Sequence, residues 1–289
     1  VIEWENDSPF KLHTNSSGLV RDSKGYFYTT GTTFEHTGNT GFTDRNAYIR
    51  KVSPDGETIW LYDFGGSADD MGLDLGIDSS DNLYVAVNTS REFTEMGELL
   101  SPATASVRKI DSQGNILWTR HVTGEGGVYA NGIAVDKNGS VFLGGTKYQQ
   151  QSASEALLQR WDADGNELMI SLPGTSPNNI QQLFVGDEGD LYVSGLESGQ
   201  DFLRKIDYLG NVEWSRDTER SGFLDGQDIR RIALDEQRNV IIGGELGTLS
   251  SQGFLIKLRP VPEPSTLLLV LMAFTVQLRR SYERCSNSS

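Results

Sequence analysis

The chain of 289 residues is long enough to bury a sizeable core, in one large domain or two ordinary ones. Its 25 Lys+Arg against 40 Asp+Glu give a formal net charge of −15, which repels phosphate backbones and excludes nucleic acid as a partner. With 32 Gly and a single cysteine, Cys285, the composition excludes a disulfide-stapled scaffold and suits a turn-rich all-β protein better than a helical bundle.

At the start, Glu3, Glu5 and Asp7 stand where a secretory signal needs basic and then apolar residues. The expectation is that such a signal was removed or that the sequence is a fragment. VIEW (1–4) has the pattern of a strand met again as NVEW (211–214), and LVRDSKGYFYTTG (19–31) reads as two strands around a turn.

Four repeats follow, near 47–104, 105–155, 156–200 and 201–252. Each opens with a strand: AYIRKV (47–52), ASVRKI (105–110), ALLQRW (156–161) and DFLRKI (201–206). A polar turn comes next, SPDG (53–56), DSQG (111–114), DADG (162–165) or DYLG (207–210), ending in a Gly suited to positive φ. Trp60, Trp118, Met169 and Trp214 then form a column in the second strand, expected in the core.

Each repeat closes on two strands around another turn: GIDSSDNLYVAV (76–87), IAVDKNGSVFLGG (133–145), LFVGDEGDLYVSG (183–195) and IALDEQRNVIIGG (232–244). Asp22, Asp78, Asp136, Gly186 and Asp235 share one turn column. Gly31, Val87, Gly145, Gly195 and Gly244 share another, in which one Val interrupts a run of glycines. GFLIKL (253–258) supplies the opening strand that the N-terminal copy lacks, so 253–258 and 1–46 are expected to form a split blade.

Four-strand units of this kind bury both faces only when arranged radially, which predicts an all-β propeller over residues 1–260, five-bladed by repeat count and closed by strand 253–258. The stretch GGSADDMGLDLGIDSSDNLYVAVNT (65–89) resembles the bacterial β-propeller repeat family called SBBP, through its Gly-Gly, Asp-Asp, Gly, Asp and Tyr-Val pattern. That resemblance implies the propeller fold and says little about activity.

Residues 261–289 change character. Pro262, Glu263 and Pro264 precede an apolar run from Leu267 to Leu278, and Arg279, Arg280 and Arg284 follow it. This order resembles the PEP-CTERM sorting signal, which implies export and processing by an exosortase-type membrane enzyme. The run begins Leu267, Leu268, Leu269, Val270, Leu271, Met272, Ala273, Phe274, and at 1.5 Å per residue a helix over 267–278 spans roughly 18 Å of a core about 30 Å thick. The upstream prolines end any preceding helix, and the Arg cluster holds the exit in the cytoplasm. The expectation is a short transmembrane helix, with the propeller outside the inner membrane of the bacterial envelope and then at the surface or released.

Motifs for chemistry are sparse. His13, His36 and His121 lie in separate segments without metal-ligand spacing. Asp69, Asp70, Asp74 and Asp78 make the densest acidic run, and Asp162, Asp164 and Glu167 in DADGNE resemble the start of a calcium loop without its closing ligand. Asp69, Asp70, Asp162 and Asp164 are thus the weak metal candidates, with calcium the ion to consider. Solvated loop charge and turn chemistry are the simpler readings.

No GxSxG elbow, phosphate loop or dinucleotide fingerprint is present. The sequence therefore reads as a non-enzymatic, structural or ligand-binding scaffold for an extracellular polysaccharide or protein, with no cofactor. The alternative is a secreted propeller enzyme, quinoprotein-like or hydrolytic, working in the central channel.

Overall fold

The computed structural model describes residues 14–36, 42–66, 68–93, 99–149, 153–170, 172, 177–186, 189–217, 227–246 and 252–258. Every regular element among them is a β-strand. Thr14–Arg21 (β1), Phe27–His36 (β2), Phe42–Val52 (β3) and Thr58–Phe64 (β4) form the first antiparallel sheet, in that order. Asp70–Ile77 (β5) and Leu83–Thr89 (β6) begin the second. A hairpin of Glu92–Phe93 (β7) and Leu99–Ser101 (β8) is inserted there, and Thr104–Ile110 (β9) and Ile116–Val122 (β10) complete the sheet.

The third sheet holds Val128–Val135 (β11), Val141–Lys147 (β12), Glu155–Trp161 (β13) and Glu167–Leu168 (β14). The fourth holds Asn179–Val185 (β15), Leu191–Glu197 (β16), Gln200–Ile206 (β17) and Val212–Asp217 (β18). Gln227–Leu234 (β19), Val240–Leu246 (β20) and Gln252–Leu258 (β21) form a fifth, three-stranded sheet.

Turn chemistry explains why the chain folds back where it does. In each of Asp22, Asp78, Asp136 and Asp235, Oδ1 accepts the N–H groups two and four residues on, closing the hairpin before the next strand. Asp111, Asp162 and Asp207 do the same at the other turn, where Gly114, Gly165 and Gly210 take positive φ.

Strand pairing sets the sheets half a repeat out of phase with the sequence. The repeat opening at Ala47 gives β3 and β4 to the first sheet and β5 and β6 to the second. The expected split blade is corrected accordingly. Strand 253–258 pairs with β20, Val240 opposite Leu258, while residues 14–36 pair among themselves and with β3. Short turns make pairing with the chain neighbour the inexpensive choice.

The sheets pack face to face. Ile49 meets Leu83, Val85 and Ile110 between the first and second, and Val107 meets Ile133 and Leu143 between the second and third. Phe142 meets Ile180 and Phe202, and Leu203 meets Ile229 and Ile242, at the next two interfaces. Each fully buried aliphatic or aromatic side chain contributes about 1.5–3 kcal/mol.

Three tryptophans of the expected core column are partly buried in these clusters, but Met169 is 94 % exposed because β14 ends at Leu168. Residues 1–13 lie outside the described residues. So do Pro262, Glu263 and Pro264, the run 267–278, and Arg279, Arg280 and Arg284.

One boundary differs. Leu255 of β21 is 78 % exposed and Leu19 of β1 is 69 % exposed, on the faces where the fifth and first sheets would meet if the ring closed on itself.

Candidate functional site

The first strand of every sheet is interrupted at the same repeat position. The ladder skips one residue at Ser17, Leu73, Asn131, Gln181 and Arg230, on β1, β5, β11, β15 and β19. A bulge at one place in every inner strand re-aims the residue after it, here Gly18, Asp74, Gly132, Gln182 and Arg231. The residue before each bulge explains the glycine column. Ser16, Ala130 and Ile180 face Gly31, Gly145 and Gly195, where an added Cβ would fall 1.9–2.1 Å from the backbone oxygen of Asn15, Tyr129 or Asn179. Val87, the exception, faces Gly72, so the glycine has changed strands.

Four of these strands converge on a cavity of about 430 Å³. Ser16, Ser17 and Gly18 of β1, Asp74 of β5 and Arg231 of β19 form its polar wall, and Leu19, Leu183, Phe184 and Ile232 its apolar wall. Asp74 Oδ1 accepts the Leu75 N–H at 2.9 Å. Burial pushes the Asp74 carboxyl above the usual carboxylate range, against the opposing pull of the Leu75 N–H and the Arg231 charge. Arg231 Nη1 donates to Gln182 Oε1 at 3.4 Å and to its neighbour's carbonyl at 3.0 Å. The cavity therefore offers hydroxyls, a hard-to-ionise carboxyl and a guanidinium beside an apolar surface.

The acidic run of the sequence is dispersed. Asp69 is half-exposed and lies 3.8 Å from Arg45 Nε, whereas Asp70 is buried and accepts from Thr89 Oγ1 at 2.5 Å. Only Asp74 reaches the cavity. Asp78 is a turn acceptor that also takes the Tyr84 hydroxyl at 3.1 Å. Asp162 accepts the Asp164 and Asn166 N–H groups on one oxygen and Asn166 Nδ2 on the other, while Asp164 is exposed. Among the described residues no three of His, Cys, Asp or Glu are gathered to hold a metal ion. His121 is exposed, and the side chains of His13 and His36 lie outside the described residues.

A buried polar motif was hidden in the strand patterns. Asp22 Oδ2 accepts the Tyr28 hydroxyl at 2.9 Å, and Lys51 Nζ lies 3.9 Å from the same oxygen and over the Tyr28 ring. Asp78, Tyr84 and Lys109 repeat the arrangement. Burial first, then the adjacent carboxylate, raises both tyrosine pKa values. Each lysine also crosses to the next sheet, Lys51 Nζ donating to the Ser112 carbonyl and Lys109 Nζ to the Ala163 carbonyl, both at 2.8 Å. The basic residue next to the end of each opening strand, Lys51, Lys109, Arg160, Lys205 and Lys257, was the available signal.

No family model matches the chain, and no curated protein matches it. Solved structures do. A protein of unknown function from Dyadobacter fermentans aligns with a TM-score of 0.54 at 13% identity, over 86% of this chain and 79% of that one. Another of unknown function, from Bacteroides caccae, aligns with a TM-score of 0.50 at 11% identity, over 86% and 80%. A gluconolactonase from Xanthomonas campestris aligns with a TM-score of 0.46 at 14% identity, over 85% and 72%, and carries no argument about this chain. The first two share with this chain the fold alone, a propeller-like repeated all-β architecture.

Proposed function

We propose that this protein is a ligand-binding propeller scaffold of the bacterial envelope, held there through its C-terminal tail and binding a sugar unit of an extracellular polysaccharide in its central cavity. The observation that carries the reading is the cavity lining, in which Ser16, Ser17, Asp74 and Arg231 stand beside Leu19 and Phe184. A sugar ring presents hydroxyls at its rim and C–H groups on its faces, and such a mixed wall suits both. Asp74, resisting ionisation, can donate as well as accept a hydrogen bond.

Calorimetric titration of the purified chain with neutral and uronate-containing oligosaccharides tests this. Binding of one class, weakened about tenfold or more by Arg231→Ala, is expected, since a lost charged hydrogen bond costs about 1.5–3 kcal/mol. Absence of binding at millimolar concentrations, or equal affinity of the variant, would overturn it. For the tail, the order of Pro262–Pro264, the apolar run and the Arg cluster supports sorting by an exosortase-type enzyme. In a host carrying such an enzyme, Glu263→Ala is expected to leave unprocessed precursor in the membrane, and equal processing of both forms would reduce the motif to a linker.

A further inference from the structure

The residues that follow the five bulges share one repeat position, and three of them, Gly18, Asp74 and Arg231, line the cavity. The other two, Gly132 and Gln182, add no charge. Asp74 and Arg231 are the ionisable side chains of the lining. Burial draws Asp74 toward its neutral form, so Arg231, always protonated and facing solvent, is the standing charge of the wall. Its hydrogen-bond partners among the described residues are neutral, Gln182 Oε1 at 3.4 Å and the Arg230 carbonyl at 3.0 Å. Basic side chains elsewhere are matched to acids, Arg204 to Glu197 and Lys205 to Asp190 and Glu213.

We propose, building on the sugar-binding reading above, that the cavity selects uronic acids over neutral sugars, with the Arg231 guanidinium pairing with the sugar carboxylate and Gln182 positioning that guanidinium.

A sugar seated in the cavity takes water from Arg231. The hydroxyls of a neutral sugar repay that desolvation in part, whereas a carboxylate matches the guanidinium fork with two charge-assisted hydrogen bonds. The placement of the charge fits as well. Arg231 adjoins Ile232 on β19, and Leu183 and Phe184 stand across from it on β15. A uronic acid carries its carboxylate on a ring carbon beside the C–H groups of the ring face, so a single residue presents both chemistries at this spacing. Asp74 in its neutral form donates a hydrogen bond to such a ligand instead of repelling it. Elsewhere the net charge of −15 repels polyanions, which confines the preference to the cavity.

Calorimetry on the full chain at about 150 mM NaCl, where general repulsion is screened, tests the proposal. The probes are glucuronate, galacturonate and mannuronate disaccharides, each beside its neutral parent, its methyl ester and the 6-sulfate of the parent. At least one uronate is expected to bind about tenfold or more tighter than its parent, with the ester falling back to the parent's affinity. Arg231→Gln removes the charge, and Gln182→Glu supplies an internal carboxylate beside Nη1. Both are expected to abolish the preference while leaving affinity for the neutral parent within about twofold, a split that a merely structural role for Gln182 would not produce.

Equal binding of uronates and neutral parents would overturn the proposal and leave the sugar-binding reading standing. Equal gain from the 6-sulfates would overturn the assignment to a carboxylate, since charge alone would then be read. Absence of binding by every probe at millimolar concentration, in protein shown folded by circular dichroism, would overturn both. Should a variant not fold, the comparison of ester with uronate in the unaltered chain still decides, because the two ligands differ only in charge at the group that Arg231 is assigned.

Discussion

Leu203 and Leu255 stand at the same place in the repeat and differ in burial, so truncating each to alanine isolates what burial contributes. Leu203 is fully enclosed by Tyr192, Ile229, Ile232, Val240 and Ile242. Removing its outer carbons forfeits transfer energy at about 0.8 kcal/mol per group and leaves a cavity between two sheets that hydrogen-bonded ladders prevent from collapsing. Leu203→Ala should therefore cost about 3 kcal/mol, within the range of about 2–5 kcal/mol for such truncations. At roughly 2–4 °C per kcal/mol for a domain of this size, the midpoint should fall by about 6–12 °C.

Leu255→Ala removes the same atoms from a side chain already in water and should stay within about 0.5 kcal/mol. Urea denaturation followed by tryptophan fluorescence, with unchanged m-values, measures both. Equal costs for the two variants would refute the reasoning, because the fifth and first sheets would then have to bury Leu255 between them.

Gly145→Ala should destabilise by at least about 2 kcal/mol, since its Cβ would sit 2.1 Å from the Tyr129 oxygen, whereas Gly132→Ala, which meets nothing within 4 Å, should be neutral in the same denaturation assay. Calcium or EDTA should leave the melting temperature within about 1 °C of its starting value in differential scanning fluorimetry, because both Asp162 oxygens already accept N–H groups and no stabilising linkage is available there. Acid should expose the Asp235–Lys257 pair. The Lys257 ammonium holds the Asp235 carboxyl down at about 2, below its unfolded value of roughly 3.9, so the pair's stabilisation is complete above that value and lost as pH falls through 2. Lys257→Met should flatten that acid limb in a pH-dependent melting series, and an unchanged slope would count against the pair.

Much of this architecture was legible because turn chemistry and apolar alternation are written in side chains. The Asp and Gly columns mark each hairpin, and every turn Asp accepts the backbone N–H groups its position calls for. The phase of the sheets was not legible, since a periodic sequence defines a period but no starting point, and only pairing shows that β4 and β5 part company. The bulges were hidden for a related reason. Ser17, Leu73, Asn131, Gln181 and Arg230 have no chemistry in common, because the backbone alone makes the bulge. Val87 looked like a defect until its cross-strand partner Gly72 was known. The dispersal of the acidic run could not be read from the sequence, because closeness in sequence says little about closeness in space at the entry to a strand, where Asp69, Asp70 and Asp74 find separate partners.

The half-repeat offset between sequence and sheets bears on how such a molecule can grow and be assembled. Each sequence repeat lays two strands in one sheet and two in the next, so the covalent chain itself ties every sheet to its neighbour. On a ribosome, β5 and β6 must wait for β9 and β10, so each sheet is finished only when the first half of the following sequence repeat has been made. Duplication gains a matching tolerance. Wherever a crossover cuts within the repeat, inserting one period adds one whole sheet and leaves none with a surplus or missing strand, so the number of sheets can change by recombination without any breakpoint being privileged.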